Sequence, residues 1–424
     1  MLNRKLTLIA LLALTAPLLA GDSQERKLKD NDLKKFAARL SDYIEAKQGN
    51  KGLVKAEEAI GAELEKLKKK LKGADPLSSS TDLGQALWLS HEYAKARTKK
   101  GKVTDETFDS SFIGDDGLSY AIWTPKGYSP KSTAYPLIIT IPENDPEISP
   151  SQHIMRNWME SEVRDNAIIV APTMPEAADA WETSGSPGDA GGVAFVLTTL
   201  KAVKERYAID PNRVYISGRG AGTGAALKIA SYFPHLFAGM IGRAGDASEV
   251  AFENMGNLPT YFTGAGSRAT AYLEQVKGAG YDNCTIEMEG KELDIWAWIQ
   301  EHPRIASPDK VILVPGAPFP VRGYWLSVRQ STETAARLEA RVDRETNTIH
   351  IDAEGISDVS LYLNDTLVNL DEPVTVICNG AETVETIPRS LKLTLNLIFN
   401  AVSDSGQVFV AVQAYSIPET TKGD

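Results

Sequence analysis

The run Val214-Tyr215-Ile216-Ser217-Gly218-Arg219-Gly220-Ala221-Gly222 is where residue types and spacing point most directly to chemistry. A β-branched stretch enters a glycine-rich turn, and Thr223 to Tyr232 then reads as a helix. Strand, tight turn and helix in that order serve two kinds of chemistry. In a nucleophile elbow, G-x-S-x-G, a strained turn lifts a serine off the sheet and small neighbours prevent clashes. In a dinucleotide fingerprint, glycines let the backbone approach a pyrophosphate. Gly220, Gly222 and Ala225 match that second spacing, with Asp246 past the next strand where a ribose contact would lie.

Context separates the two. A dinucleotide unit opens its domain with this strand, whereas at least three candidate strands come first here. The approach Tyr207-Ala208-Ile209-Asp210-Pro211-Asn212-Arg213-Val214-Tyr215-Ile216-Ser217-Gly218 resembles that of secreted carboxylesterases and of feruloyl-esterase-like and polyester-depolymerase-like members of the α/β-hydrolase superfamily. The downstream Ser231-Tyr232-Phe233-Pro234-His235-Leu236-Phe237-Ala238-Gly239 resembles the stretch after the elbow in the same proteins. The resemblance spans residues 110 to 305 or so, and it implies a mostly parallel sheet with helices on both faces and the site at the strands' C-terminal ends.

Carried over position by position, the resemblance finds the catalytic places occupied by other residues. The nucleophile falls on Gly220, which has no side chain. The acid falls on Ser267, after Gly264-Ala265-Gly266, and the base on Lys291, after Gly290. The oxyanion loop, histidine-glycine in the family, begins Pro142-Glu143, and Pro142 has no N–H to donate. Losing the serine or histidine of such a triad costs on the order of 10⁶ in turnover. The leading expectation is therefore a pseudo-hydrolase retained for binding or structure, its cleft lined by Pro142, Glu143, Gly220 and Ala221. An active esterase or peptidase with displaced residues, for example a Ser267–Lys291 pair, is the alternative. A nucleotide-binding protein using the glycine-rich turn comes third.

Other polar residues read more plainly. Of the five histidines, His91, His153, His235, His302 and His350, none falls at the expected base turn, and His302 reads as a helix-end residue. Ser217 reads as a packing serine at the strand end. Glu143, Asp145 and Glu147 read as a solvated acidic loop rather than a cation site. No Cys or His spacing suggests zinc, and no metal or cofactor is expected. Cys284 and Cys378 read as separate buried residues, although a disulfide between them stays open.

The elements that must position these residues emerge from periodicity. Leu33, Phe36, Ala37, Leu40, Tyr43 and Ile44 share a helical face, as do Leu53, Ala56, Ile60, Leu64, Leu67 and Leu71, and a third helix comes after Ser80-Thr81-Asp82. Strands are expected at Tyr120–Trp123, Leu137–Ile141, Ala167–Ala171, Arg213–Ser217, Phe237–Ile241, Thr260–Thr263 and Cys284–Met288. Between the later ones come helices Val193–Tyr207, Ala225–Tyr232, Ala269–Gly278 and Asp294–Glu301. After residue 308 the pattern turns to strands, with one helix near Ser390–Asn400 and a hairpin signal at Asn379-Gly380. The expected division is a signal peptide at 1–21, a helical region at 22–104, an α/β domain at 105–307, a β-rich domain at 308–418 and a tail at 419–424.

A net charge of −11 without a long basic run argues against nucleic-acid binding. The lysines at 66, 68, 69, 70 and 72 read as a solvated helix face among nearby glutamates. Arg4 and Lys5 precede an apolar run, Leu6 to Leu19, too short to span a bilayer and typical of a secretory signal. Asp22 stands where a lipoprotein signal would carry its cysteine, so no lipid anchor is expected. An exported protein, periplasmic or extracellular, with an unidentified small-molecule or protein ligand is the resulting expectation.

Overall fold

The computed structural model describes residues 27–93, 100–108, 118–130, 134–143, 147–174, 180–185, 191–264, 266–287, 295–333 and 335–419. Three helices come first: α1 (Asp30–Gln48), α2 (Leu53–Lys70) and α3 (Ser80–Ser90). In α1 and α2 the apolar positions recur every three or four residues, so each has one face to bury, whereas α3 is buried almost all round. α1 buries Leu33, Phe36, Ala37, Leu40 and Tyr43, and α2 buries Ala56, Ile60, Leu64 and Leu67. The Ser79 side chain accepts from the Asp82 N–H and starts α3.

Eight strands then form one sheet: β1 (Val103–Phe108), β2 (Leu118–Trp123), β3 (Tyr135–Ile141), β4 (Ile168–Pro172), β5 (Ile209–Arg219), β6 (Gly239–Arg243), β7 (Thr260–Thr263) and β8 (Cys284–Glu287). Their order is β1-β2-β4-β3-β5-β6-β7-β8. β1 and β2 are antiparallel, β2 meets β4 antiparallel, and every pairing from β4 to β8 is parallel. Helices α4 (Pro150–Asn157), α5 (Ser161–Asn166), α6 (Gly192–Arg206), α7 (Ala221–Tyr232), α8 (Ser267–Gly278) and α9 (Ile295–Glu301) cover it. Every residue of β3 is buried. Leu137 and Ile139 join a core with Val196, Leu200, Leu227 and Val276, whereas Ile138 joins the opposite core with Ile154, Trp158, Tyr215 and Trp298. A sheet covered on both faces needs such continuous apolar strands. This is the α/β-hydrolase layout the sequence led us to expect, and its strand order is not that of a dinucleotide domain.

The remaining strands are β9 (Lys310–Leu313), β10 (Arg322–Gly323), β11 (Leu326–Ser331), β12 (Arg337–Asp343), β13 (Thr348–Glu354), β14 (Ile356–Leu363), β15 (Val374–Cys378), β16 (Ala381–Glu385) and β17 (Ala411–Ser416), with helix α10 (Leu391–Phe399) before the last. They form two sheets, β10-β11-β14-β17 and β16-β15-β13-β12-β9. Asn379 and Gly380 are the two-residue turn between β15 and β16, with φ of +46° and +85°. Positive φ at both positions is what a type I′ hairpin requires. Cys284 and Cys378 are both free and buried, which excludes a disulfide between them.

Some elements differ from expectation. β1 lies ahead of the first expected strand, and its alternating Val103-Thr104-Asp105-Glu106-Thr107-Phe108 suits a sheet edge open to solvent. The short helices α4 and α5 carry too few apolar residues to define a face, and the strands β9, β10 and β11 are not among those singled out from the sequence. The β-like run Val408–Val412 becomes strand only at Ala411, and Val408, Phe409 and Val410 are buried in the irregular segment that leads to it.

The two ends of the chain share a core. Leu33, Phe36, Leu40, Ile60, Leu64 and Leu87 belong to one buried cluster with Trp325, Leu338, Val359, Leu395 and Phe409. The Lys47 ammonium donates to Asn396 Oδ1 at 2.5 Å and lies 4.7 Å from the centre of the Phe399 ring. At the junction with the eight-stranded sheet, the Arg304 guanidinium, 2 % exposed, pairs with Asp404 at 2.7 Å, and Lys204 on α6 reaches the same carboxylate at 2.9 Å. Arg304 also donates to the Asn212 side chain and to the His235 carbonyl.

Candidate functional site

The register Thr140↔Ser217 and Ile141↔Gly218 places β3 beside the end of β5. The next residues, Pro142 and Glu143, therefore run alongside Arg219 and Gly220. Gly220 sits in the sharp turn before α7 with φ +53° and ψ −124°, a region where an L side chain is strained. Its N–H donates to the Arg243 carbonyl at 3.0 Å, and its carbonyl accepts from the Thr223 N–H at 3.1 Å. Gly222 is held to glycine by proximity: a Cβ there would lie 2.5 Å from the Ile141 carbonyl oxygen.

The space beside Gly220 is filled. A Cβ built there would stand 2.7 Å from Glu143 Cδ and 2.8 Å from Oε1. The same Oε1 lies 3.5 Å from Arg219 Nε, and the two side chains are 39 % and 40 % exposed. Pro142 is buried, and Ala221 is exposed as the first residue of α7. The four sequence-expected cleft residues, Pro142, Glu143, Gly220 and Ala221, thus meet at one sheet edge.

Behind them lies a buried polar array. His153 on α4 bonds Thr140 Oγ1 through Nε2 at 2.9 Å and faces the Asn157 amide at 3.2 Å. The Trp158 indole N–H donates to the same Thr140 oxygen at 3.0 Å. Burial, reinforced by the positive charges of Arg219 and Arg243, pushes the His153 ring down to about 4, so it is neutral at pH 7. Arg243, the register partner of Arg219, donates to Glu160 at 2.7 Å and to the Asn157 carbonyl, and stacks 4.9 Å over Trp158. Sequence reasoning did not assemble these residues. The capping box Ser149-Pro150-Ser151-Gln152 that begins α4 was a legible signal for the helix that carries His153.

Ser267, at the family's acid position, is the exposed first residue of α8. Lys291, at the base position, lies outside the described residues, as does Asp145 of the acidic loop. Among the described residues no group of three or more His, Cys, Asp or Glu side chains is placed to hold a metal. Asp246, the ribose candidate, has another occupation: its carboxylate accepts from the backbone N–H of Ala269 at 2.6 Å and of Ala247 at 3.0 Å. Against partial burial, these bonds and that of Arg268 hold it below the usual carboxylate range. Ser217 donates to the Ile241 carbonyl in the core, and the His302 ring stacks on Trp298 at the end of α9.

Residues 174–276 match the family model described as Esterase PHB depolymerase. A poly(3-hydroxybutyrate) depolymerase of Ralstonia pickettii is 29% identical over 140 residues, which are 29% of this chain and 29% of that protein. Solved structures similar to the chain include a thermostable esterase (18% identity, TM-score 0.40, covering 48% of this chain and 63% of that one) and a ferulic acid esterase (15%, 0.36, 48% and 95%). Another is the S-formylglutathione hydrolase of Staphylococcus aureus (12%, 0.35, 47% and 94%). Over that part of its length the chain is thus similar to esterases of the PHB depolymerase kind, in line with the resemblance of its elbow sequence. Among the described residues no helix is long and apolar enough to cross a membrane.

Proposed function

We propose that this protein keeps the hydrolase scaffold as a binding module and does not carry out serine-hydrolase chemistry. One observation supports the reading above the others. The elbow keeps its strained backbone at Gly220, yet the space a nucleophile would enter is taken by the Glu143 carboxylate. Pro142 in place of an oxyanion donor, and Ser267 exposed at the start of α8, weigh the same way. The ligand site of the proposal is the cleft lined by Glu143, Arg219, Gly220 and Ala221, where open α/β sheets form crevices. We further propose that residues 1–21 direct export; the amino terminus of protein recovered from outside the cytoplasm, found at or near Asp22, is the check.

The test is chemical. Purified protein should neither turn over p-nitrophenyl butyrate nor take up a fluorophosphonate probe, and Gly220→Ser should restore neither, because no base is supplied with it. Labelling that vanishes in Ser267→Ala would establish the displaced-residue esterase instead. Robust ester hydrolysis by Gly220→Ser alone would show the remaining machinery to be intact.

A further inference from the structure

We propose that the cleft beside Gly220 takes a carboxylate ligand, bound by Arg219 in the place Glu143 now fills, so that Glu143 is a built-in competitor. The proposal rests on the binding-module reading and names the class of ligand for that site. Arg219 carries it. A guanidinium offers five N–H donors in a planar fork that matches a carboxylate with two parallel bonds. Among the described residues Arg219 makes no hydrogen bond with any of them; its partner is Glu143 Oε1 at 3.5 Å, beyond the 2.7–3.2 Å of a well-formed bond. Its register neighbour Arg243 is the contrast, held by Glu160, the Asn157 carbonyl and the Trp158 ring and only 8 % exposed. Arg243 is buried away from any ligand, whereas Arg219 is 40 % exposed.

The second observation is the resident group itself. Glu143 has brought a carboxylate to the side of Gly220, in the space vacated by the missing side chain, so an anion of that shape fits beside Arg219. The pair is two-fifths exposed on both sides, and solvent screening leaves an ion pair so exposed weak. An incoming carboxylate that makes a two-bond contact with Arg219 outcompetes it, and Glu143 swings into solvent. The glycine is essential to the exchange because any side chain at 220 would stand where the carboxylate must lie.

Titration calorimetry on the full chain with butyrate and benzoate, against methyl butyrate, methyl benzoate and inorganic phosphate, tests this. The acids should bind and their methyl esters should not. Arg219→Met should lose affinity at least tenfold, and Glu143→Gln should gain severalfold by removing the competitor while keeping its shape. Equal binding of acid and ester, phosphate binding as tight as the acids, or an Arg219→Met protein with parental affinity would each overturn the proposal. Fluorophosphonate labelling of the same samples keeps the two ideas apart. No label and no acid binding sinks the ligand class alone, whereas labelling sinks the binding-module reading on which it rests.

Discussion

At the scale of single residues, Gly220 holds a sharp elbow backbone with no side chain to present. Its φ of +53° with ψ −124° is a conformation that costs an L residue about 1–3 kcal/mol. Glu143 also stands in the way, but it is the far end of a long side chain and can turn aside. The penalty is therefore mainly backbone strain. Gly220→Ser should lower stability to chemical denaturation by ~1–3 kcal/mol, and the loss should persist in a Glu143→Ala background. If the loss disappears there, contact with Glu143 was the cause and strain was not. Gly220 was legible in the sequence because strand, glycines and helix are contiguous. Glu143 beside Arg219 was half legible: the residue was named, but its partner depends on the register of β3 against β5, which no local pattern reveals.

At the scale of elements, α4 ties the loop after β3 to the interior. Its eight residues carry one buried titratable group, His153, on the strand residue Thr140. The ring's pKa in the folded chain is about 4, against an ordinary value of 6.5. A depressed histidine contributes stability that is complete above the unfolded value and lost as pH falls through the folded one. The window is therefore pH 6.5 down to 4, and full loss amounts to on the order of 3 kcal/mol. NMR of histidine-labelled protein should show the His153 ring titrating near pH 4, and His153→Gln should flatten part of the stability slope in that window. A ring titrating near 6.5 would mean that it is solvated. The long amphipathic helices and the buried strands of the large sheet were readable from periodicity. α4 and α5, at eight and six residues, were not, because two turns carry too few apolar positions to define a face.

At the scale of the whole molecule, a charged junction joins the eight-stranded sheet to the C-terminal strands. Burial alone would raise the Asp404 carboxyl, but Arg304 and Lys204 overrule it and hold it well below the usual carboxylate range. Its contribution is present above the unfolded value near 4 and is lost only as pH falls below that. Asp404→Asn leaves Arg304 buried without its counter-charge, a change that costs about 3–5 kcal/mol. Calorimetry of this variant should show the single transition lowered, or split as the two bodies come apart. An unchanged midpoint would show that water already compensates Arg304. Nothing in the sequence joined residues 304 and 404, because such a contact appears only once both bodies have folded.

The common core of the two chain ends also fixes an order of events. Domains made early in synthesis ordinarily fold before the rest emerges. Here the first helices, α1 and α2, have their apolar faces ready long before Leu395 and Phe409, members of the same buried cluster, exist. The eight-stranded sheet lies wholly between, so it can close while both flanks wait. Completion of that shared core then waits for α10 and for Phe409, and a polypeptide stopped before α10 lacks Leu395, Leu397 and Phe409 from the cluster that α1 and α2 begin. The first helices and α10 are thus parts of one core that cannot be complete until both have been made.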